Sequence, residues 1–168
     1  MSTVLYCVQK LSAAHRVRMD PTKKELYTAK RASGLNTSDP DLLQEMQQLK
    51  CDPSHNWLLV RIVDNTAVLH ACGGGGLKAF SDHLTDDDIY YGALRCSVDE
   101  QVKFFHVYFV GQSVSAMKKG KASLSKQAIF NLVEAHGELS FSSGLAEYSD
   151  NLVIQAIQSL TMSTNIVI

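Results

Sequence analysis

The chain has 168 residues, 45% of them hydrophobic, and a formal net charge of −1. That is enough for one well-buried core with an appendage rather than two domains, and no apolar run approaches the roughly 20 residues of a membrane span. The four cysteines, Cys7, Cys51, Cys72 and Cys96, form no CxxC pair. This argues against a zinc knuckle and a dense disulfide framework, and makes reduced thiols in cytosol the simplest account.

Charge is unevenly spread. Of 16 basic and 17 acidic side chains, seven and two lie in residues 1–38, leaving nine and 15, net −6, in 39–168. The basic extension 1–38 has room for a short strand at Val4–Leu11 and a short helix from Pro21 to Arg31. Its first acid is Asp20, a composition that overlaps an organellar leader. A retained arm that docks on an acidic partner and an unstructured tail are both preferred to that reading.

From Asp39 the pattern becomes regular. Asp39 is a helix N-cap with Pro40 at the first helical position, and Leu42, Leu43, Met46 and Leu49 carry helical spacing to about Lys50. Asp52-Pro53-Ser54 breaks it. Two apolar runs, Trp57–Val63 and Ala67–Cys72, flank Asp64-Asn65-Thr66 and read as a hairpin. Gly73–Gly76 invites a phosphate-cradle reading, but neither standard glycine spacing is met; a flexible turn into a helix Leu77–Leu84 is expected instead. Asp86-Asp87-Asp88 lacks the glycine and distal glutamate of a calcium loop and reads as a solvated turn.

Ile89–Val98 is a strand, turned at Asp99-Glu100 into a second that begins at Lys103. In this second strand both alternation sets are apolar: Phe104, His106, Tyr108 and Val110 on one face, Phe105, Val107 and Phe109 on the other. A strand covered on both sides requires that pattern. After Gly111 a long helix is expected from Ser113 to His136, closed by Gly137. Met117, Leu124 and Ala128 form its packing flank, and Lys118, Lys119 and Lys126 fill an adjacent sector about 100° wide. Glu138–Phe141 is a strand, and Leu145–Leu160 a last helix with an N-cap available at Ser149-Asp150. The apolar tail 161–168, ending Ile166-Val167-Ile168, could add an edge strand or meet a partner, with fraying the default.

No catalytic constellation stands out. His106 sits in a buried strand as a satisfied core histidine, no GxSxG elbow occurs, and Cys72 has no neighbouring base. The domain reads as a binding module.

The strand, the Gly111 turn, the opening Gln112-Ser113-Val114-Ser115 and the spaced lysines resemble the actin-depolymerising-factor/cofilin homology domain, most closely its coactosin branch, over roughly Asp39 to Leu160. Coactosins have a strand beginning Lys-Phe that runs to a Gly followed by an acidic or amide residue and then a long actin-contacting helix. Lys103-Phe104, Gly111-Gln112 and the helix after them fill those places.

The resemblance implies an α/β, ADF-homology fold, with a mixed central sheet of about five to six strands flanked by helices on both faces. It divides the chain into an extension 1–38, a homology domain 39–160 and a tail 161–168. It also implies a cytoplasmic, non-enzymatic binder of actin filaments, with no cofactor, metal or nucleic acid, acting through Lys103, Met117, Lys118, Lys119, Lys121 and Lys126. The alternative is a structural component of a larger cytoskeletal assembly, docked through the basic arm, which would be extended in isolation and order on that partner.

Three departures from the family pattern bear on mode. Met117 and Gly120 stand where cofilins carry the Arg and Met of the helix, the hairpin tip is Asp99-Glu100 where filament binders are basic, and Gln155, Gln158 and Ser159 replace charge in the last helix. The first two favour filament binding without severing and weak monomer binding.

Overall fold

The computed structural model describes residues 34–168; the expectations at Val4–Leu11 and Pro21–Arg31 lie outside the described residues. Helix α1 (Pro40–Cys51) opens with Asp39, whose carboxylate accepts from the Asp41 N–H at 3.1 Å and from the Leu69 N–H at 3.2 Å, capping the helix and tying it to a strand. Strands β1 (Trp57–Val63) and β2 (Thr66–Gly73) form the expected hairpin. Its turn residues Asp64 and Asn65 both take positive φ, 45° and 62°, as a two-residue hairpin turn demands. Helix α2 (Gly76–Ser81) follows and is shorter than the expected Leu77–Leu84. Strands β3 (Ile89–Val98) and β4 (Gln101–Val110) then pair along their full length around Asp99-Glu100.

Helix α3 (Ala116–Phe130) crosses back, strand β5 (Gly137–Phe141) pairs parallel to β4, a 3-10 turn occupies Gly144–Ala146, and helix α4 (Asp150–Thr161) is capped by Ser149, as its sequence suggests. The sheet order is β2-β1-β3-β4-β5, antiparallel except for β4–β5. It is a mixed sheet between two helical layers. One core holds Leu42, Met46 and Leu49 of α1 with Ala122, Ala128, Ile129 and Phe130 of α3. The other holds Leu77 and Phe80 of α2 with Val153 and Ile157 of α4. β4 serves both: Tyr108 and Val110 enter the first, Phe105, Val107 and Phe109 the second.

The tail does not fray. Ile166–Val167 forms β6, pairing with β3 at Val98 and Ser97, beyond Trp57, the first residue of β1. The Ser163 hydroxyl donates to the Asp99 carboxylate at 2.7 Å, and the Asp99 N–H donates to the Asn165 carbonyl at 3.1 Å. The tail therefore holds the β3–β4 tip.

The end of α3 also departs from expectation. The helix stops at Phe130, short of His136, because the chain after it is drawn onto β4. Phe130 stacks on His106 at 4.1 Å, and the Val133 carbonyl accepts from His106 Nε2 at 2.8 Å. The His136 N–H donates to the Phe104 carbonyl at 2.7 Å, while the Phe104 N–H donates to His136 Nδ1 at 3.2 Å. Gly137 is thus a strand residue rather than a helix stop. A Cβ there would stand 2.8 Å from Leu160 Cδ1, the tip of a half-exposed side chain that can move aside.

Cys72 and Cys96 are free thiols. Cys51 is disulfide-bonded, which departs from the expectation of reduced thiols throughout.

Two predictions follow from this packing. Gly111 lies against the Asp86 backbone, which an added Cβ would overlap. Gly111→Ala should therefore cost about 2–4 kcal/mol in denaturant unfolding. Gly120, with nothing within 4 Å of an added Cβ, is the control. Gly120→Ala should gain about 0.5–1 kcal/mol through helix propensity.

The second concerns pH. Burial holds the His106 imidazole below its ordinary value of 6.5, outweighing the Val133 carbonyl and Glu138. Its neutral form is thus the one the fold accommodates. The unfolded chain takes up the proton first, so this contribution to stability is complete above about pH 6.5 and declines as pH falls through the folded value. His70 is lowered likewise, first by burial and then by Arg61. His106→Gln should flatten the dependence of the unfolding midpoint between about pH 7 and pH 5. An unchanged slope would place the titration elsewhere.

Candidate functional site

The long helix α3 is positioned at its start by Asp86. Its Oδ1 accepts from the Leu145 N–H at 2.8 Å and the Gln112 N–H at 3.4 Å, and its backbone carbonyl accepts from the Ser113 N–H at 2.8 Å. One residue thus joins the loop before β3, the loop entering α3 and the loop entering α4. Gly144, at φ 70° and too close to this carboxylate to carry a Cβ, belongs to the same knot. The expectation of a merely solvated acidic turn is corrected here: Asp86 is a structural clamp. Asp88 is engaged as well, accepting from Lys118 Nζ at 2.8 Å and lying 3.4 Å from Arg61. Burial raises the Asp88 carboxyl, but the Lys118 bond, the Ile89 amide and Arg61 outweigh it and leave it below the usual range.

Ser115 caps α3, accepting from the Lys118 N–H at 3.4 Å. The helix faces the sheet with Ala122, Ala128, Ile129 and Phe130. Met117 and Leu124, expected on the packing flank, point the other way: they are 74% and 76% exposed. The reason is spatial. Ala122 and Ile129, seven residues apart and so about 20° from one another on the helix, face the sheet, and the small Ala122 lets the helix sit close to β3, where the Tyr91 hydroxyl donates to the Ala122 carbonyl at 2.9 Å. That stripe fixes the inward sector, which lies roughly 120–160° from Met117 and Leu124 on the helix.

The lysines divide into two groups. Lys126 is half-buried, its Nζ 2.6 Å from Glu138 Oε1 and 5.3 and 5.9 Å from the ring centres of Tyr108 and Phe130. Lys118 is bonded to Asp88. Lys119 and Lys121 have no ion-pair partner among the described residues; Lys121 is exposed and Lys119 half-buried. Beside them, a groove of about 300 Å³ runs between α3 and the β1–β2 tip, lined by Lys118, Lys121, Ser125, Ile62 and Asn65 among others.

Lys103 is not brought to this cluster. It alternates with Phe105 on β4 and so lies on the face covered by α2 and α4, opposite α3. It is also at the hairpin end of β4, whereas α3 leaves from the Val110 end, roughly 20 Å away at strand rise. The sequence reading missed Leu124 as an outward residue and Asp86 as a clamp. The first had a signal: Ala122 and Ile129, seven residues apart, form a second apolar stripe that competes with Met117 and Leu124 for the inward position. The second had none, because its partners at Gln112 and Leu145 are remote in sequence.

Nothing at the glycine run supports nucleophilic chemistry. Burial and the Glu45 carboxylate push the Cys72 thiol up to about 11, away from thiolate character. Among the described residues no cluster of three or more His, Cys, Asp or Glu side chains could hold a metal, and no helix is long and apolar enough to cross a membrane.

A family model described as cofilin/tropomyosin-type actin-binding protein matches residues 34–158. No curated protein sequence matches the chain. Among solved structures, coactosin from Entamoeba histolytica is similar with a TM-score of 0.67 and 21% identity, over 78% of this chain and 99% of that one. Human coactosin-like protein has a TM-score of 0.67 and 16% identity, over 74% and 98%. Streptomyces griseoflavus cofilin has a TM-score of 0.62 and 16% identity, over 73% and 98%. These likenesses concern the fold.

The division among the lysines is testable by stability alone. Lys126→Ala removes the Glu138 partner and the contact with two rings, and is expected to cost about 1 kcal/mol. Lys121→Ala should stay within about 0.5 kcal/mol of the parent. Equal losses in chemical denaturation would contradict the assignment of Lys126 to the fold.

Proposed function

The chain belongs to the cofilin/tropomyosin-type actin-binding protein family, a family of binding proteins and not of enzymes, and from that premise we propose that it binds the sides of actin filaments in the coactosin manner, without severing them. The observation that carries this reading is the outward face of α3. Met117 and Leu124, seven residues apart, fall about 20° from one another on the helix and roughly 10 Å along it, and both are largely exposed. Lys121 stands about 40° from Met117 and, with Lys119, has no internal counter-charge among the described residues.

Apolar anchors beside free cations suit an acidic partner: burial of the former supplies affinity, the latter steer approach. Lys118 and Lys126 contribute to the local potential from their internal pairs, and Lys103 supplies a second, separate contact from the hairpin end. Absence of severing is supported by Met117 and Gly120 in place of the cofilin Arg and Met, and by the short acidic tip that the tail holds down. A cytoplasmic location accompanies this reading.

The commitment of Lys118 and Lys126 to Asp88 and Glu138 favours a second reading. In it the actin surface is eroded, and the chain serves as a structural component of a cytoskeletal assembly docked through residues 1–38.

Cosedimentation with filaments separates the two. Lys103→Glu with Lys119→Glu should weaken binding about tenfold or more while leaving the circular dichroism spectrum and unfolding midpoint intact. Binding of the parent should weaken as salt rises. An unaltered affinity in the folded double variant would remove the proposed surface. Fragmentation of single filaments at saturating protein would contradict the non-severing mode.

A further inference from the structure

A groove of about 430 Å³ opens at the hairpin end of the molecule, lined by Pro53, Asn56, Arg95, Val102, Val167 and Ile168 among others. Its position follows from the topology. β1 pairs with β3 only as far as Trp57 opposite Leu94, and β6 takes over at Val167 opposite Ser97. The groove therefore overlies the seam between two collinear strands. Neither α1, ending at Cys51, nor α3, ending at Phe130, covers its apolar wall, and Val102 and Val167 are 48% and 65% exposed.

Arg95 sets the chemistry. Its side chain is half-buried and enters no ion pair among the described residues. Its Nε is buried without a hydrogen-bond partner, and so is Oδ1 of Asn56. The two residues are adjacent, since the Arg95 N–H donates to the Asn56 carbonyl at 2.8 Å. In the groove beside α3, by contrast, Lys118 is already matched by Asp88. A guanidinium is a planar fork of donors that fits a carboxylate, and a free carboxamide oxygen beside it requires an N–H. Arg95 lines the groove with no counter-charge among the described residues, so a ligand carboxylate would complement the part of its guanidinium beyond the enclosed Nε, and a ligand N–H would complement Asn56 once the carboxamide turns outward.

We propose that this groove binds the free carboxy terminus of a partner polypeptide. A terminal residue carries an α-carboxylate and an amide N–H on one α-carbon, the same juxtaposition of anion and donor that Arg95 and Asn56 call for. The carboxylate meets the Arg95 guanidinium, the last amide N–H meets the Asn56 carboxamide once it turns to the groove, and an apolar terminal side chain packs on Val102 and Val167. The site is separate from the outward face of α3 and does not depend on the actin reading.

The test titrates the full-length, methyl-labelled protein with acetyl-Ser-Val-Val bearing a free carboxylate, and with the same peptide amidated. The acid should shift the Val102 and Val167 methyl resonances, and the amide should bind at least tenfold more weakly. Arg95→Gln should abolish the difference, and Arg95→Lys, which keeps charge but not the fork, should retain only part of it. Equal binding of acid and amide to the parent protein would overturn the proposal without recourse to any variant. Shifts from hexanoate as large as those from the peptide acid would make this a small organic acid site instead. Absence of any shift at millimolar peptide would show that the groove takes no chain terminus.

Discussion

A strand buried on both faces has to be covered twice, and β4 imposes that demand here. Phe105, Val107 and Phe109 on one side and Tyr108 and Val110 on the other are all removed from water, each large side chain contributing about 1.5–3 kcal/mol relative to exposure. Two helices per face meet the demand. The parallel partner β5 requires a crossover, and α3 is that crossover. The long helix is therefore placed by the burial of β4, and whatever it presents to a partner is what remains after its small inward residues have been pressed onto the sheet.

That residue of surface carries the functional argument. With Ala122 and Ile129 inward, Met117 and Leu124, on the far side of the helix, point out. The acidic background of the domain then sorts the lysines: Asp88 and Glu138 bind the two nearest them, and Lys119 and Lys121 keep their charge unmatched among the described residues. Asp86 holds the helix start to the α4 loop, so this surface is presented on a rigid support rather than on a mobile loop.

Local chemistry was legible wherever it acts over a few residues. The two-sided apolar alternation of β4, the Asp64-Asn65 turn, and the caps Asp39 and Ser149 could be read directly, because each depends on neighbours in sequence. The direction of α3 could not be read. Its apolar residues occupy more than one sector, and periodicity alone does not say whether Leu124 or Ala122 faces the sheet. The helix end at Phe130 was hidden for a similar reason: the groups that stop it, His106 and Phe104, lie on another element. The pairing of Ile166-Val167 depends on β3 running past Trp57, the first residue of β1, which is a matter of register between strands and not of local pattern. Lys103 lies apart from the helix lysines because strand parity puts it on the opposite face of the sheet and α3 leaves from the other end of β4, a combination of two elements that neither shows alone.

Two exposed methionines offer the most direct measurement of the central claim. Met117 is 74% exposed on the outward face of α3, and Met162 is 92% exposed at the end of α4, away from it. With the methyl groups of both labelled, addition of actin filaments should broaden and attenuate the Met117 signal well before that of Met162. Loss of the Met162 signal with Met117 unaffected would show that the partner meets the other end of the molecule and that the face of α3 is not the docking surface.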